Sequence, residues 1–145
     1  MISLYIKIML DKSVVINVYT PLLIGSIIYI LFRGDSIFVK SWLDLKNHTI
    51  QSIKLPSWMI YSFQDGLWAY SFVSAMNLLW KNSKHIYLWL FISIILIFGH
   101  EVGQGAGIIH GTFDLVDIFF YCLGVILSLL FTSKKSNYET TFSIL

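Results

Sequence analysis

The chain has 145 residues, the length of one domain, and 57% of them are hydrophobic whereas 12% are charged. Soluble domains carry charge on about a quarter of their residues, so this composition indicates an integral membrane protein. The net charge of +2 is small and the basic residues form no block, so nothing points to a nucleic acid as partner. The single cysteine, Cys122, excludes an intramolecular disulfide and a zinc site built from cysteines.

The first predicted membrane span covers residues 14–32. Its length of about 19 residues, at about 1.5 Å per residue, is close to what is needed to cross the hydrocarbon of a bilayer. Pro21 lies within it and is expected to kink the helix, and Arg33 ends it. Residues 1–10 are also apolar, but Lys7 interrupts them and no small-residue cleavage site follows, so a removable signal peptide is not expected.

Residues 33–57 form the longest predicted extramembrane loop. Charged residues are spread along it, and Pro56 closes it. Between the charges, apolar residues such as Trp42 and Leu45 recur at roughly helical spacing. This pattern predicts a short amphipathic helix, which either lies in the headgroup layer or packs on the surface of the bundle.

Three further spans are predicted over residues 58–80, 86–104 and 113–132. Tryptophans bound the second span, as is typical of membrane interfaces, and Lys81 and Lys84 mark a tight polar turn after it. The sequence therefore predicts an all-α fold: a polytopic membrane helical bundle with four transmembrane helices and one short interfacial helix.

The basic residues predict the orientation of this bundle. The side that holds both termini and the short turn has six of them, whereas the opposite side has four. Because cytoplasmic segments carry the excess of lysine and arginine, both termini are expected in the cytoplasm. The six are Lys7, Lys12, Lys81, Lys84, Lys134 and Lys135, and the four are Arg33, Lys40, Lys46 and Lys54.

Four of the eight acidic residues lie in or beside these apolar spans, and the topology brings them to one leaflet. A charged side chain near the bilayer core costs several kcal/mol, so such residues usually face a protein interior or an aqueous cavity and have a partner there. Glu101 and Gln104 lie three residues apart on one helical face, and so do Asp114 and Asp117. The predicted polar pocket comprises Arg33, Asp65, His100, Glu101, Gln104, Asp114 and Asp117.

The second span carries further polar residues around Asp65. On a helix, Asp65 shares its face with Ser62, Ala69 and Phe72, and small side chains there leave room beside the carboxylate. Serines in membrane helices more often bond back to their own backbone, and Ser62, Ser71 and Ser74 are expected to do so. The chain has no GxSxG, P-loop or Cys/His nucleophile pattern.

Alternating glycines begin at the end of the third span and continue beyond it. Gly103, Gly105 and Gly107 flank Gln104 and the residues after it, and such a stretch makes a poor helix. We therefore expect an irregular turn that lines a cavity, in preference to a close helix contact.

Four interpretations of the carboxylates stay open. They pair with Arg33; they are protonated, because desolvation and like-charge crowding favour the neutral form; they bind a cation with help from His100 and His110; or they cap helix ends. The His-Glu pair is weak evidence for a metal, because Gln104 stands where the HExxH zinc pattern has its second histidine. No metal site and no cofactor are therefore predicted.

Residues 101–104 (EVGQ) and 111–124 (GTFDLVDIFFYCLG) resemble the C-terminal signature of VanZ-like membrane proteins. That family has a Glu and a Gln at the end of one span and an Asp that opens the next, with an Asn and a Gly further along. The resemblance implies a multi-pass protein of the bacterial inner membrane, in the cell envelope, but no particular reaction. It implies roles for Glu101, Gln104, Asp117 and Gly124.

This chain also departs from the family pattern. Tyr121 stands where the family has Asn, and the Arg commonly found between the Gln and the Asp is absent. Upstream, residues 62–68 (SFQDGLW) replace a pattern around a Lys and a His. The loss of the Arg affects any role in which it pairs with the acidic residues.

Three functions compete. The leading hypothesis is a pocket that binds the headgroup of a membrane lipid or of a lipid-linked cell-wall precursor. The second is an enzyme that acts on a lipid, with carboxylates and His100 or His110 as acid and base or as helpers of a metal. The third is a non-catalytic subunit of a homo-oligomer or membrane complex, with the polar cluster holding helices together. The sequence does not decide whether the chain is an enzyme.

Overall fold

The computed structural model describes residues 11–32 and 55–142, with side chains as far as Thr132. Throughout this part the secondary structure is helical, as predicted. The helices are α1 (Lys12–Phe32), α2 (Ser57–Trp80), α3 (Ile86–Gly105) and α4 (Leu115–Phe142). Arg33 and the predicted interfacial helix lie outside the described residues.

Three of these helices are long and apolar enough to cross a membrane by length and composition: α1, α3 and the Leu115–Thr132 part of α4. The helix α2 has 24 residues, which is long enough, but it carries more polar side chains than α1, α3 or the Leu115–Thr132 part of α4. The prediction of four spans is therefore met for three helices on these criteria. The structure also contains the remaining predicted helix, α2, but α2 is not apolar enough to meet the same criteria.

Helix α2 is the centre of the bundle, because it packs against each of the other helices. Helix α1 runs antiparallel to it, with Val18 beside Ser71. Helix α4 runs parallel to it, since Ser128 contacts Ser74 and residues further along α4 contact residues further along α2. Helix α3 runs back along the outside of α2 and α4, and little of it is buried inside the bundle.

Burial in this bundle is the reverse of that in a soluble protein. In the part that the structure describes, the buried hydrophobic side chains are Ala69, Val73 and Val125, and the buried polar set is larger. Large apolar side chains such as Leu23, Phe91 and Leu130 are more than half exposed. Lipid is as apolar as these side chains, so an interior of small and polar residues suits a membrane bundle. The buried polar residues are Ser13, Ser62, Gln64, Ser71, Ser74, Asn77, Ser93, Glu101, Ser128 and Thr132.

Helix α1 is π-helical over Val15–Tyr19, just before Pro21. Proline lacks the backbone N–H that would bond a carbonyl of the preceding turn, so the regular α-helical pattern breaks there. The wider turn coincides with bonds to α2: the Tyr70 hydroxyl donates to Oδ1 of Asn17 at 2.6 Å, and Ser71 Oγ donates to the carbonyl of Val18 at 2.8 Å. The predicted disturbance at Pro21 is thus a π-helical segment that contacts α2.

Helices α2 and α4 are joined by a short series of polar contacts. Ser74 Oγ and Ser128 Oγ are 2.9 Å apart, and Asn77 Nδ2 donates to Oγ1 of Thr132 at 2.6 Å. The prediction that Ser71 and Ser74 bond back to their own helix is wrong. Ser71 bonds to the carbonyl of Val18 on α1, and Ser74 bonds to the hydroxyl of Ser128 on α4.

Glycines bring the same two helices close together. A Cβ atom placed on Gly124 would collide with the carbonyl oxygen of Gly66 and lie 3.0 Å from the amide nitrogen of Tyr70. A Cβ atom on Gly66 would lie 2.9 Å from the carbonyl oxygen of Phe120. Backbone therefore lies against backbone, as in small-residue contacts between membrane helices.

Candidate functional site: an acidic cavity joined to an apolar cleft

A cavity of about 510 Å³ lies between α2, α3 and α4 at one end of the bundle. It is formed by the first half of α2, the last turn of α3 and the first turns of α4. Its lining residues are Tyr61, Asp65, Trp68, His100, Glu101, Gln104, Gly111, Thr112, Asp114, Asp117 and Tyr121. The structure thus brings together six of the seven predicted pocket residues, and the seventh, Arg33, lies outside the described residues.

Glu101 is the most deeply buried carboxylate of this cavity, with 3% of the residue exposed. Its Oε2 accepts a hydrogen bond of 3.3 Å from the backbone N–H of Asp114. Its Oε1 lies 3.9 Å from Nδ1 of His100, whose side chain is 55% exposed. Glu101 also stands near the C-terminal end of α3, where the helix dipole disfavours a negative charge. Burial and position both leave this carboxylate in need of a positive or hydrogen-bonding partner.

The two acidic residues at the start of α4 have different roles. Asp114 precedes the helix, and its Oδ1 accepts a 2.8 Å hydrogen bond from the N–H of Val116, so Asp114 is an N-cap. Asp117 lies inside the first turn, and its Oδ1 is buried without a hydrogen-bond partner in the described part of the chain. The capping interpretation therefore holds for Asp114 and not for this oxygen of Asp117.

The turn between α3 and α4 closes one end of the cavity. The prediction of an irregular backbone from Gly103 is wrong in its starting point, because α3 continues to Gly105. At Gly103 an added Cβ would lie 2.7 Å from Ile109, so the missing side chain makes room for the returning chain. Gly107 has a φ of +72°, where glycine is favoured. Gln104 faces this turn, and its Nε2 lies 3.5 Å from the carbonyl oxygen of His110.

An apolar cleft of about 320 Å³ continues from the acidic cavity between α2 and α3. The two spaces share four lining residues: Asp65, Trp68, His100 and Tyr121. The sequence indicated room beside Asp65. Of the three residues predicted on its face, Ala69 and Phe72 line this cleft, whereas Ser62 does not. The contribution of α3, through Leu96 and Ile97, had no signal in the sequence, because these residues resemble every other apolar residue of that span.

Aromatic rings form part of the wall. Trp68 packs against Tyr29 of α1 at a centroid distance of 5.7 Å, and Tyr121 packs edge to face on Phe98 of α3 at 5.8 Å. Tyr121 also interacts electrostatically with the carboxylates of Asp65, Glu101 and Asp117. Acidic and aromatic groups therefore border the same space.

The histidines do not complete a metal site in the described structure. His110 lies in the exposed turn and does not line the cavity, whereas His100 does. Within residues 11–32 and 55–142, no three His, Cys, Asp or Glu side chains are grouped closely enough to hold a metal ion. The carboxylates border a cavity large enough for an organic group.

Comparison with known proteins gives no match: no protein-family model matches the chain, and no curated protein or solved structure shows significant similarity to it. The resemblance to VanZ-like proteins therefore has no support beyond residues 101–104 and 111–124 themselves.

Proposed function

We propose that this chain is an integral membrane protein that binds a membrane amphiphile, with the headgroup in the acidic cavity and the apolar tail in the adjoining cleft. The observation that carries this proposal is the shared wall of the two spaces, formed by Asp65, Trp68, His100 and Tyr121. A lipid or a lipid-linked cell-wall precursor has these two parts in the same order. Small-molecule sites are likewise concave, largely apolar and equipped with a few polar groups that fix orientation.

The proposal includes four membrane spans, with α2 as the fourth. Its polar side chains Gln64, Ser74 and Asn77 are buried against other helices, so a low average hydrophobicity does not expose them to lipid. Both termini are proposed to lie in the cytoplasm, on the basis of the lysines near the span ends. The cavity then opens at the outer leaflet of the bacterial inner membrane.

The test is whether lipid is retained by the purified protein. We expect native mass spectrometry in a mild detergent to find bound amphiphile, and Leu96→Trp to reduce it by filling the cleft from a position that is 61% exposed. Leu88→Trp is the matched control, because Leu88 lies on the same helix, is 53% exposed and does not line the cleft. Equal retention by both variants would contradict the proposal.

A lipid-modifying enzyme is the second candidate, and the pair formed by buried Glu101 and half-exposed His100 favours it. Two groups in such different surroundings can divide acid and base roles. An enzyme would convert its lipid in a reconstituted assay, and His100→Gln would abolish turnover. The same variant would lower lipid retention far less, because three other shared wall residues remain. If the protein retains lipid but converts none, the enzyme candidate is contradicted and lipid binding remains as the proposed function.

The interhelical-glue hypothesis has less support. Short side-chain hydrogen bonds between helices lie away from the cavity, at Asn17–Tyr70, Ser74–Ser128 and Asn77–Thr132. These contacts already join α2 to α1 and to α4. The carboxylates of the cavity are therefore better explained by an occupant than by a need to hold the helices together.

A further inference from the structure

We infer that the headgroup held in the acidic cavity carries an ammonium group. This inference rests on the proposed function and adds the chemical class of the amphiphile. Two carboxylate oxygens carry the first step. Only 3% of Glu101 is exposed, and its Oε1 lies 3.9 Å from Nδ1 of His100, which is longer than a hydrogen bond. Oδ1 of Asp117 is likewise buried and unpartnered within the described part of the chain.

The charged residues that line the cavity indicate whether the bound headgroup is positive or negative. Asp65, Glu101, Asp114 and Asp117 border the cavity, and none of its described lining residues is a lysine or an arginine. A headgroup with a net negative charge would be repelled by these carboxylates, whereas an ammonium group would be attracted to them. A cation would instead compensate the buried carboxylate of Glu101 and the buried Oδ1 of Asp117.

The aromatic residues narrow the kind of cation. Tyr61, Trp68 and Tyr121 line the same cavity as the carboxylates. Ring faces attract ammonium groups, and cages of aromatic and acidic residues are the usual recognition mode for quaternary ammonium ligands. The described residues offer no group of three ligands for a metal ion. An organic cation therefore fits this wall better than a metal does.

The apolar cleft beside the cavity indicates that the ammonium headgroup is attached to a hydrocarbon chain. Ala69, Phe72, Leu96 and Ile97 extend the wall away from the carboxylates, beginning at Trp68 and Tyr121. An ammonium group without a hydrocarbon chain would leave this part of the site empty. The ligand class is thus an amphiphile with an amine or ammonium headgroup, either an aminolipid of the membrane or a free amphiphilic amine.

The test uses protein purified in dodecyl maltoside and radiolabelled dodecyltrimethylammonium as the probe, with bound label counted at equilibrium. We expect saturable binding, and at least about tenfold weaker competition by dodecyl sulfate, which has the same chain and the opposite charge. Tetramethylammonium, which has the headgroup alone, should also compete at least about tenfold more weakly, since it leaves the cleft empty. Equal competition by dodecyl sulfate would overturn the inference.

Variants connect the binding to the named residues. Glu101→Gln should weaken probe binding about tenfold or more, and Asp117→Asn offers an independent removal of charge if the first variant does not fold. Tyr121→Leu should weaken binding about threefold or more, whereas Tyr121→Phe, which keeps the ring face, should bind as the wild type does. Unchanged affinity in both charge variants, each eluting as a folded species from gel filtration, would overturn the inference.

Nanodiscs separate the two sources of the ammonium group. In nanodiscs of phosphatidylglycerol, adding phosphatidylethanolamine should displace the probe if the ligand is a membrane aminolipid. Failure of that lipid to displace a probe that still binds would assign the site to a free amphiphilic amine, and the inference would stand. If uncharged amphiphiles are retained through the cleft but the ammonium probe has no advantage, the inference fails while the proposed function stands. If Leu96→Trp changes no binding at all, the proposed function fails as well.

Discussion

Gln64 illustrates how the surroundings of one residue can cost stability. It is fully buried in α2, and both polar atoms of its side-chain amide have no hydrogen-bond partner within the described residues. Trp68, one turn later, has a buried and unpartnered Nε1 that would lie 2.7 Å from a Cβ atom placed on Gly25 of α1. Buried polar groups are normally paired, and an unpaired one costs about 1–3 kcal/mol. The α1–α2 contact therefore holds polar groups that destabilise it.

Replacing Gln64 with methionine should stabilise the protein. Gln64→Met keeps the shape of the side chain and removes the unpaired amide, so we expect the free energy of unfolding to rise by about 1 kcal/mol. The measurement is the thermal unfolding midpoint in detergent. Gln64→Ala serves as control, because it removes the same amide but opens a cavity, and it should not be stabilising. A lower midpoint for the methionine variant would contradict this expectation, because it would mean that the Gln64 amide has a hydrogen-bond partner in the folded protein.

At the scale of helices, the contact between α2 and α4 organises the bundle. Gly66 and Gly124 allow the two backbones to meet, and the bonds Ser74–Ser128 and Asn77–Thr132 follow along the same contact. The two helices are parallel, so α3 has to return outside them. Gly124, to which the family resemblance assigns a role, has a packing reason for being glycine.

A methyl group at Gly124 should therefore separate α2 from α4. Gly124→Ala places Cβ against the carbonyl of Gly66, and backbone atoms cannot move aside cheaply, so we expect a loss of about 1–3 kcal/mol in unfolding free energy. Gly99→Ala on α3 is the matched control, since a Cβ there meets nothing within 4 Å. Thermal unfolding in detergent measures both. Similar midpoints for the two variants would contradict the close contact.

For the whole molecule, the distribution of polar residues defines an inside and an outside. Glu101, Asn77 and Gln64 are buried, while Phe91 and Leu23 are exposed. In water this arrangement would be unstable, because large apolar side chains would face the solvent. In lipid the exposed apolar side chains meet an apolar solvent, and the polar side chains are kept away from it. The same distribution supports α2 as a span despite its polarity.

The topology can be tested with reporter fusions. A reporter after Leu145 should be active in the cytoplasm, and one inserted within residues 40–54 should be active on the other side, because the lysines near the span ends are more numerous on the terminal side. A third fusion after Lys81 should match the first. Finding the C-terminal and loop reporters on one side would contradict an even number of spans.

Helix positions could largely be predicted from the sequence, because local features mark them. The predicted span 58–80 is one residue shorter than Ser57–Trp80, which follows Pro56, and the predicted 86–104 ends one residue before Gly105. Helix α4 continues to Phe142, beyond the predicted end of the span at residue 132. The prediction followed the apolar residues, and the residues after Thr132 are helical but polar.

The candidate site was predictable only in part. Spacing put Asp114 and Asp117 on one face, and both line the cavity, but it could not separate a helix cap from a buried carboxylate. That distinction depends on which N–H groups the neighbouring chain offers. The partners of Ser71 and Ser74 were mispredicted because they are a carbonyl and a hydroxyl on neighbouring helices, and spacing within one helix does not reveal them. The pairing of Arg33 with the cluster falls outside the described residues and stays a prediction.

The central place of α2 has a consequence for biosynthesis in the proposed four-span topology. The helix that is least suited to enter lipid alone is made second, whereas the partner that covers Ser74 and Asn77 is made last. When α2 leaves the ribosome, α1 is already available to bond Tyr70 and Ser71 of α2. The face of α2 that carries Ser74 and Asn77 has no partner until α4 is made. The nascent chain must therefore keep α2 shielded by α1 and by the insertion machinery until α4 arrives, so the order of synthesis makes α4 the step that completes the fold.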